Sequence, residues 1–493
     1  MIRGLALFLV GTCLIAAERS QPVDVAWAAQ DRLLVADADV RGLREVALDP
    51  RIPAVVWPLP SAPRAVAVAG TTWAVALPDS DAVALRTGSG PWRVVATPAM
   101  PVAVAALPGG RWAVACQQAG VVAIVDPGTN AVVAQMPAGR QPVSVATVGD
   151  ALIVGNLIPD TAATDPAHAA TVHAGPLAGP LVRIHLPVGS TGVRGVAAIP
   201  GTSLAVVVHM VGHTGMVVTH TDRGWMAHAA ATLVDVRTGQ IETSIPLDLP
   251  DHGAADPWGV VVADGRAWIT AVGGQRLVSV DLSYRPGPDT PLSDGARRGA
   301  VRHRPLLADL PGPRGIARGS DGRIAIAAAY AGAVGILDPE GGSTTRIVLG
   351  DPALGDPERM GAFLFHDAAT GFQGWLSCAT CHPDSRSDGL TWDLLNDGVG
   401  NPKNVRTMWG AADRAPMMAL GVRADPPTAV RAGFRFVRFH EPHETQVDAV
   451  LAYVRALQPR PGHASGPAVA RGQAIFAGKA VAPTAMRDPS ARS

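Results

Sequence analysis

"PVAVAALPGGRWAVACQQAGVVAIVDPGTNAVVAQMPAGR", residues 101–140, contains four short apolar or alternating runs parted by Gly, Pro, Asp and Asn. Helical periodicity is poor throughout it, so the stretch predicts strands joined by tight turns. Its opening phrase keeps returning. Gln21-Pro22-Val23-Asp24-Val25, Ala62-Pro63-Arg64-Ala65-Val66, Met100-Pro101-Val102-Ala103-Val104 and Gln141-Pro142-Val143-Ser144-Val145 are close copies, and looser ones begin at Gly192, Asp256 and Gly312. A period of roughly 40 residues with about four strands per repeat predicts a β-propeller, in which each blade hides one face on its neighbour and ring closure protects the edges. Seven starts predict seven blades over 18–349.

Val121-Val122-Ala123-Ile124-Val125-Asp126-Pro127-Gly128-Thr129 resembles the YVTN-type propeller repeats of bacterial exported proteins. That resemblance implies a fold and leaves activity open. The chain has 493 residues, enough for two or three domains of ~100–200 residues, and its 41 basic and 41 acidic residues balance. Net charge therefore gives no reason to expect nucleic acid or an anionic membrane as a partner. At the N-terminus a short basic start and the apolar run Gly4–Ile15 lead to small residues before Glu18. This predicts a signal peptide over 1–17, a periplasmic or otherwise exported protein, and no membrane span after its removal. Thr12 before Cys13 argues against lipid attachment. Cys116, flanked by Trp112-Ala113-Val114-Ala115, is expected to be a buried structural thiol. A long insertion carries His209, His213, His220 and His228. With no compact carboxylate cluster beside them, these histidines are expected to pack against the following domain rather than to bind a metal.

The pattern changes near Gly350. Asp356-Pro357-Glu358 starts a helix with Asp as N-cap, and Met360, Phe363 and Leu364 supply its apolar face. Downstream, Glu444 to Leu457 aligns Val447, Val450, Leu451, Val454 and Leu457 on one stripe. Between these helices lies Cys378-Ala379-Thr380-Cys381-His382. Two thiols at this spacing can add to both vinyl groups of one porphyrin while the adjacent imidazole binds the iron, so the motif predicts one covalent haem c with His382 as proximal ligand. A zinc site would need two more ligands at matched spacing, and no second cysteine pair exists. A thioredoxin-like pair would need a βαβ setting.

The segment from Met360 to Ala368, Phe372 to Ser377 and Asp388 to Asn404 is similar to the c-type cytochrome domain of the dihaem cytochrome c peroxidase and MauG-like superfamily, particularly the branch fused to a YVTN-type propeller. Asp222-Arg223-Gly224-Trp225-Met226 adds to the likeness. The resemblance implies a multidomain protein: the propeller, then a small all-α cytochrome c domain over 350–462, then a truncated remnant of a second cytochrome domain over 463–493. Two departures matter. Where the family places a distal histidine this chain has Leu395-Asn396-Asp397-Gly398, and where its second haem motif is expected, after Ala470–Lys479, Ala480-Val481-Ala482-Pro483-Thr484 holds no cysteine.

The sixth iron ligand would decide the chemistry. Met417 and Met418, after Ala415-Pro416, are the leading candidates, with His440 and His443 behind them and His366 expected on the surface of the first helix. A methionine ligand would suit electron transfer, and an open position would favour peroxide access. Arg386, Lys403, Arg406, Arg414 and Arg423 are candidates to pair a haem propionate. These readings predict an exported mono-haem electron carrier that uses the propeller as a docking scaffold and exchanges electrons with a partner protein or small donor or acceptor. A peroxidase or MauG-like oxidoreductase, and a propeller binding protein with a vestigial cytochrome, are the alternatives. No residue is assigned a catalytic role.

Overall fold

The computed structural model describes residues 18–215, 226–287, 295–339, 344–393, 400–418, 420–458 and 466–478. The expected signal segment 1–17, His220, the stretch from Asn396 to Gly398 and the 480–484 stretch lie outside the described residues.

Seven four-stranded antiparallel sheets follow one another along the chain, spanning 22–58, 65–96, 101–137, 142–185, 190–246, 257–305 and 313–348. Each is a simple meander, and the seven recurring phrases identified in the sequence supply the inner strand of each. Small apolar side chains make this possible. Ala74, Val83 and Leu85 of the second blade share a core with Trp112, Val114, Ala123 and Val125 of the third, so a sheet that could not bury its face alone does so against the next. Cys116 is fully buried in the same core, as the sequence predicts. The ring closes by the same means, with Val25, Leu33, Val35 and Val46 of the first blade packed on Ala325, Ala327, Val334 and Ile336 of the seventh. A backbone clasp reinforces it: Ser20 N donates to Asp351 O, and Asp351 N to Glu18 O, both at 2.9 Å.

The stretched repeats retain the plan. In the fifth blade the central strands are nine residues each, Leu204–Gly212 and Ala227–Asp235, and carry the histidine-rich connection. A short helix α1 (Gly295–Ala300) precedes the outer strand of the sixth.

Helices α2 (Pro357–His366), α3 (Cys378–Cys381), α4 (Pro426–Phe436) and α5 (Glu444–Ala456) follow. Asp356 caps α2 by accepting from Glu358 N, and Asp425 caps α4 by accepting from Thr428 N at 2.8 Å. The stripe expected on α5 is buried, with Val447, Val450, Leu451 and Val454 all inside. It packs on α2, where Gly361 lets the backbones meet: a Cβ there would collide with the Ala449 carbonyl. Residues 1–456 form one compact unit, so these helices do not separate from the propeller. The reason is a shared core: Trp375, Leu376, Leu390 and Trp392 cluster with Met210, Met226, Ala254 and Ile269 of the blades and their loops. The second unit, 457–493, contains α6 (Pro467–Gly478).

Gly361→Val should lower the thermal midpoint measured by calorimetry, because an overpacked helix contact costs ~1–3 kcal/mol. An unchanged midpoint would show that α2 and α5 do not meet closely at this position.

Candidate functional site

The CxxCH motif is presented by α3, a single turn begun by a capping box in which Ser377 N donates to Thr380 Oγ1 at 3.0 Å. Both hydroxyls of that box are then claimed by the propeller. Ser377 Oγ donates to Asp256 Oδ2 at 2.6 Å and Thr380 Oγ1 to Asp256 Oδ1 at 2.8 Å. Asp256 belongs to the phrase that opens the sixth blade, so a repeat start doubles as the seat of the motif. Burial raises its carboxyl above the usual range, and the two hydroxyl donors oppose that rise.

Further ties fix the segment on the same face of the ring. Asp384 pairs with Arg194 at 2.9 Å and accepts from Gln117 Nε2 at 3.2 Å. Although burial pushes its carboxyl up, the guanidiniums of Arg194 and Arg64 hold it well below the carboxylate range. Thr191 Oγ1 donates to Asp388 O at 2.7 Å, His168 Nε2 lies 2.9 Å from Gly389 O, and Ala368 N donates to Gly273 O at 2.8 Å. The described ends of the histidine-rich insertion pack here, since a Cβ on Gly212 would meet Leu390 and Trp392, and Met226 shares their core. His209 is buried with Nε2 2.7 Å from Thr232 Oγ1, and His213 stacks on His228. Among the described residues no group of three or more His, Cys, Asp or Glu side chains is placed to hold a metal ion.

His382 directly follows α3. Its Nδ1 lies 3.1 Å from the Arg386 carbonyl, which can only accept, so Nδ1 carries the proton and the lone pair rests on Nε2. Desolvation lowers the pKa of the imidazole, outweighing the backbone carbonyls of Arg386 and Arg406 that raise it. A neutral ring with its second nitrogen pinned by a carbonyl is the form in which histidine ligates metals. Cys378 and Cys381 are free, half-buried thiols. Burial pushes both up; the Arg438 guanidinium opposes this at Cys378, whereas Asp388 and Asp256 add to it at Cys381.

These features fit a covalently held haem. The motif supplies two free thiols and an oriented imidazole, and buried donor atoms without protein partners lie around it: Arg438 Nε and Nη1, Arg386 Nε and Trp375 Nε1. Among the residues predicted for propionates, Arg386 has such a donor, and its guanidinium lies 4.2 Å from the centre of the Trp409 ring. Lys403 donates to Asn401 O and Arg414 to Gly410 O. Sequence reasoning missed Arg438. It is 3% exposed, with Nη2 donating to Asp367 O and Thr370 Oγ1 at 2.6 Å each. A charged residue inside the alternation Phe434-Arg435-Phe436-Val437-Arg438-Phe439 was the available signal.

Met417 and Met418 occupy a separate turn, closed by Met417 N donating to Arg423 O at 2.8 Å. Met417 is half-buried and Met418 is 40% exposed. Among the described residues no hydrogen bond joins this turn to His382. His440 Nε2 is 3.3 Å from Gln446 Oε1, and His443 engages Thr445 at the start of α5. His366 departs from expectation. It is 8% exposed rather than on the surface, with Nδ1 2.8 Å from Ala362 O, because α2 is sandwiched between α5 and the Tyr330 loop of the seventh blade. Burial pushes its pKa down to about 3.

Fold and site together define a seven-bladed β-propeller that seats a CxxCH-bearing helical segment on one face. No family model matches the chain. It is similar to hydrazine synthase subunit gamma of Kuenenia stuttgartiensis, with 34% identity over 113 residues, covering 20% of this chain and 32% of that protein. The match thus spans about a third of that relative's length. A solved structure of Kuenenia stuttgartiensis hydrazine synthase superposes at TM-score 0.58 and 16% identity over 67% of this chain and 99% of that one, which shows the propeller fold alone. A virginiamycin B lyase from Staphylococcus aureus reaches TM-score 0.48 at 12% identity, covering 63% of this chain and 93% of that one.

Asp256→Ala should leave two buried hydroxyls without an acceptor, at ~1–3 kcal/mol. Hydrogen exchange at Ala379–His382 should then quicken on the order of tenfold or more; unchanged exchange would show that Asp256 does not seat the motif. Asp388 gives a second test, since burial pushes its carboxyl up to about 7, opposed by Trp392 Nε1 and Leu390 N. The folded protein holds that proton where the unfolded chain has lost it, so rising pH removes stability across the window from about 4 to 7. The thermal midpoint of Asp388→Asn relative to wild type should therefore rise across that window, and a flat difference would contradict it.

Proposed function

We propose that this protein is an exported c-type cytochrome that carries one haem, covalently held by Cys378 and Cys381 with His382 as the proximal ligand, and that it transfers electrons. In this reading 350–462 is the cytochrome domain, the propeller is its docking scaffold, and the partner is a redox protein or a small electron donor or acceptor. The observation that carries the reading is the geometry of the motif: two free thiols on a turn seated by Asp256, followed directly by His382 with its Nδ1 3.1 Å from the Arg386 carbonyl.

The haem would supply a reversible one-electron iron couple. The chain's own contribution is positional. Asp256 and Asp384 hold both ends of the CxxCHPD stretch against the ring, which limits movement of its side chains between oxidation states. Low reorganisation suits electron transfer. Phe372, Phe436, Phe439, Met418 and Leu420 expose large apolar surface in the helical segment, as expected of groups that would face a porphyrin or a docking partner. Arg438 and Arg386 provide buried guanidinium donors for carboxylates. The likeness to a subunit of hydrazine synthase supports a redox setting. No helix among the described residues is long and apolar enough to cross a membrane; export rests on the segment 1–17.

Protein produced with a haem-attachment system should show covalent haem by mass and by haemochrome spectrum, and Cys378→Ser/Cys381→Ser should abolish it. Low-spin iron by EPR, converted to high-spin by either Met417→Ala or Met418→Ala, would identify the distal ligand. High-spin ferric iron that reacts with peroxide in the unmodified protein would overturn electron transfer in favour of a peroxidase, and protein without haem would overturn both.

A further inference from the structure

The end of the propeller axis beneath the CxxCH segment gathers three arginines around one indole. Arg64, Arg194 and Arg314, from the entrances of the second, fifth and seventh blades, all surround the indole of Trp258 from the sixth. Their guanidinium carbons lie 4.9, 4.3 and 5.0 Å from its ring centre. No two are therefore farther apart than about one Debye length at 0.1 M salt, ~10 Å, and burial leaves their repulsion poorly screened.

Three carboxylates, Asp24, Asp256 and Asp384, face these three cations, and Asp256 is also engaged by the hydroxyls of Ser377 and Thr380. Asp384 is committed to Arg194 at 2.9 Å. Asp24 accepts from Val66 N at 2.9 Å, and burial pushes its carboxyl up to about 6, so it sheds charge as the pH falls toward that value. His366 and Tyr330 also face Arg314, and burial keeps both neutral at pH 7. Arg314 is 8% exposed; its Nε is buried without a partner, and its Nη2 reaches Tyr330 Oη only at 3.4 Å. Arg64 is half-buried, and desolvation together with Arg194 and Arg314 pushes its pKa down to about 10. A buried guanidinium with an idle donor is costly unless an acceptor meets it. Guanidiniums stacked on an aromatic face keep their N–H edges free, and that planar fork matches carboxylate and phosphate oxygens.

We propose that this axial cluster is a binding site for a small oxyanion or carboxylate, held between Arg64 and Arg314 with Trp258 as the platform that orients both guanidiniums. Its three arginines and Trp258 belong to the propeller, and the proposal does not depend on the electron-transfer reading. Only a compact ligand fits the chemistry: one or two charges, oxygen acceptors on two sides and no apolar tail.

Isothermal titration calorimetry of the purified full-length protein with inorganic phosphate, at ionic strength matched with sodium chloride, tests it. Saturable binding with one phosphate per chain is expected, accompanied by a rise in thermal midpoint. Arg64→Met should weaken it at least tenfold and Arg314→Lys should weaken it measurably, whereas Arg111→Met, an exposed arginine paired with Asp126, should leave it unchanged. The Cys378→Ser/Cys381→Ser protein should bind as the wild type does, which separates this site from any haem. If Arg314→Lys fails to fold, the half-buried Arg64 decides. Phosphate that gives no saturable heat beyond chloride, or an Arg64→Met protein that binds as tightly as wild type, overturns the proposal.

Discussion

The placement of the CxxCH motif depends on one carboxylate. Asp256 stands at the start of the sixth blade and accepts the hydroxyl protons of Ser377 and Thr380, the two residues that cap the single turn bearing both cysteines. A four-residue helix has no stability of its own, because nucleation fixes several residues for one hydrogen bond. Its conformation must be imposed from outside. The propeller imposes it, and in doing so it sets where the thiols and His382 stand. Asp384 performs the corresponding task at the far end of the motif through Arg194.

This arrangement explains why the helical segment and the propeller behave as one compact unit. Polar ties at Asp256, Asp384, Thr191 and His168 would be weak if they were wet. They are strong because Trp375, Leu376, Leu390 and Trp392 complete an apolar core with the fifth and sixth blades, excluding water from the same boundary. Apolar burial supplies the bulk of the attraction, while the buried hydrogen bonds fix register and orientation. The cost is a set of displaced ionisations: Asp256 and Asp388 are driven up by burial, and His366 and His382 are kept neutral.

Legibility followed the kind of signal. The seven recurring phrases could be counted because each blade solves the same packing problem with the same residues, and all seven became inner strands. The α5 stripe was equally plain, ending one residue before the expected Leu457. His366 was misjudged because a helix pattern reports one apolar face and cannot tell that a second surface, here Tyr330 of the seventh blade, covers the rest. Arg438 was overlooked for a related reason: an arginine in sequence reads as solvated, and only its bonds to Asp367 O and Thr370 show that it is buried.

The sequence by itself determined the blade number, the strand order, the two long helices that bracket the motif and the spacing of its two thiols and imidazole. Those depend on local periodicity and on residue types at fixed spacing, both of which are written along the chain. Tertiary structure alone decided what seats the motif, the tautomer of His382, and the meeting of Arg64, Arg194 and Arg314 around Trp258. Each brings together residues far apart in the chain, joined only when the ring closes and the helical segment is laid across its axis. No periodicity encodes such contacts, because they arise from charge and shape matched across the closed fold.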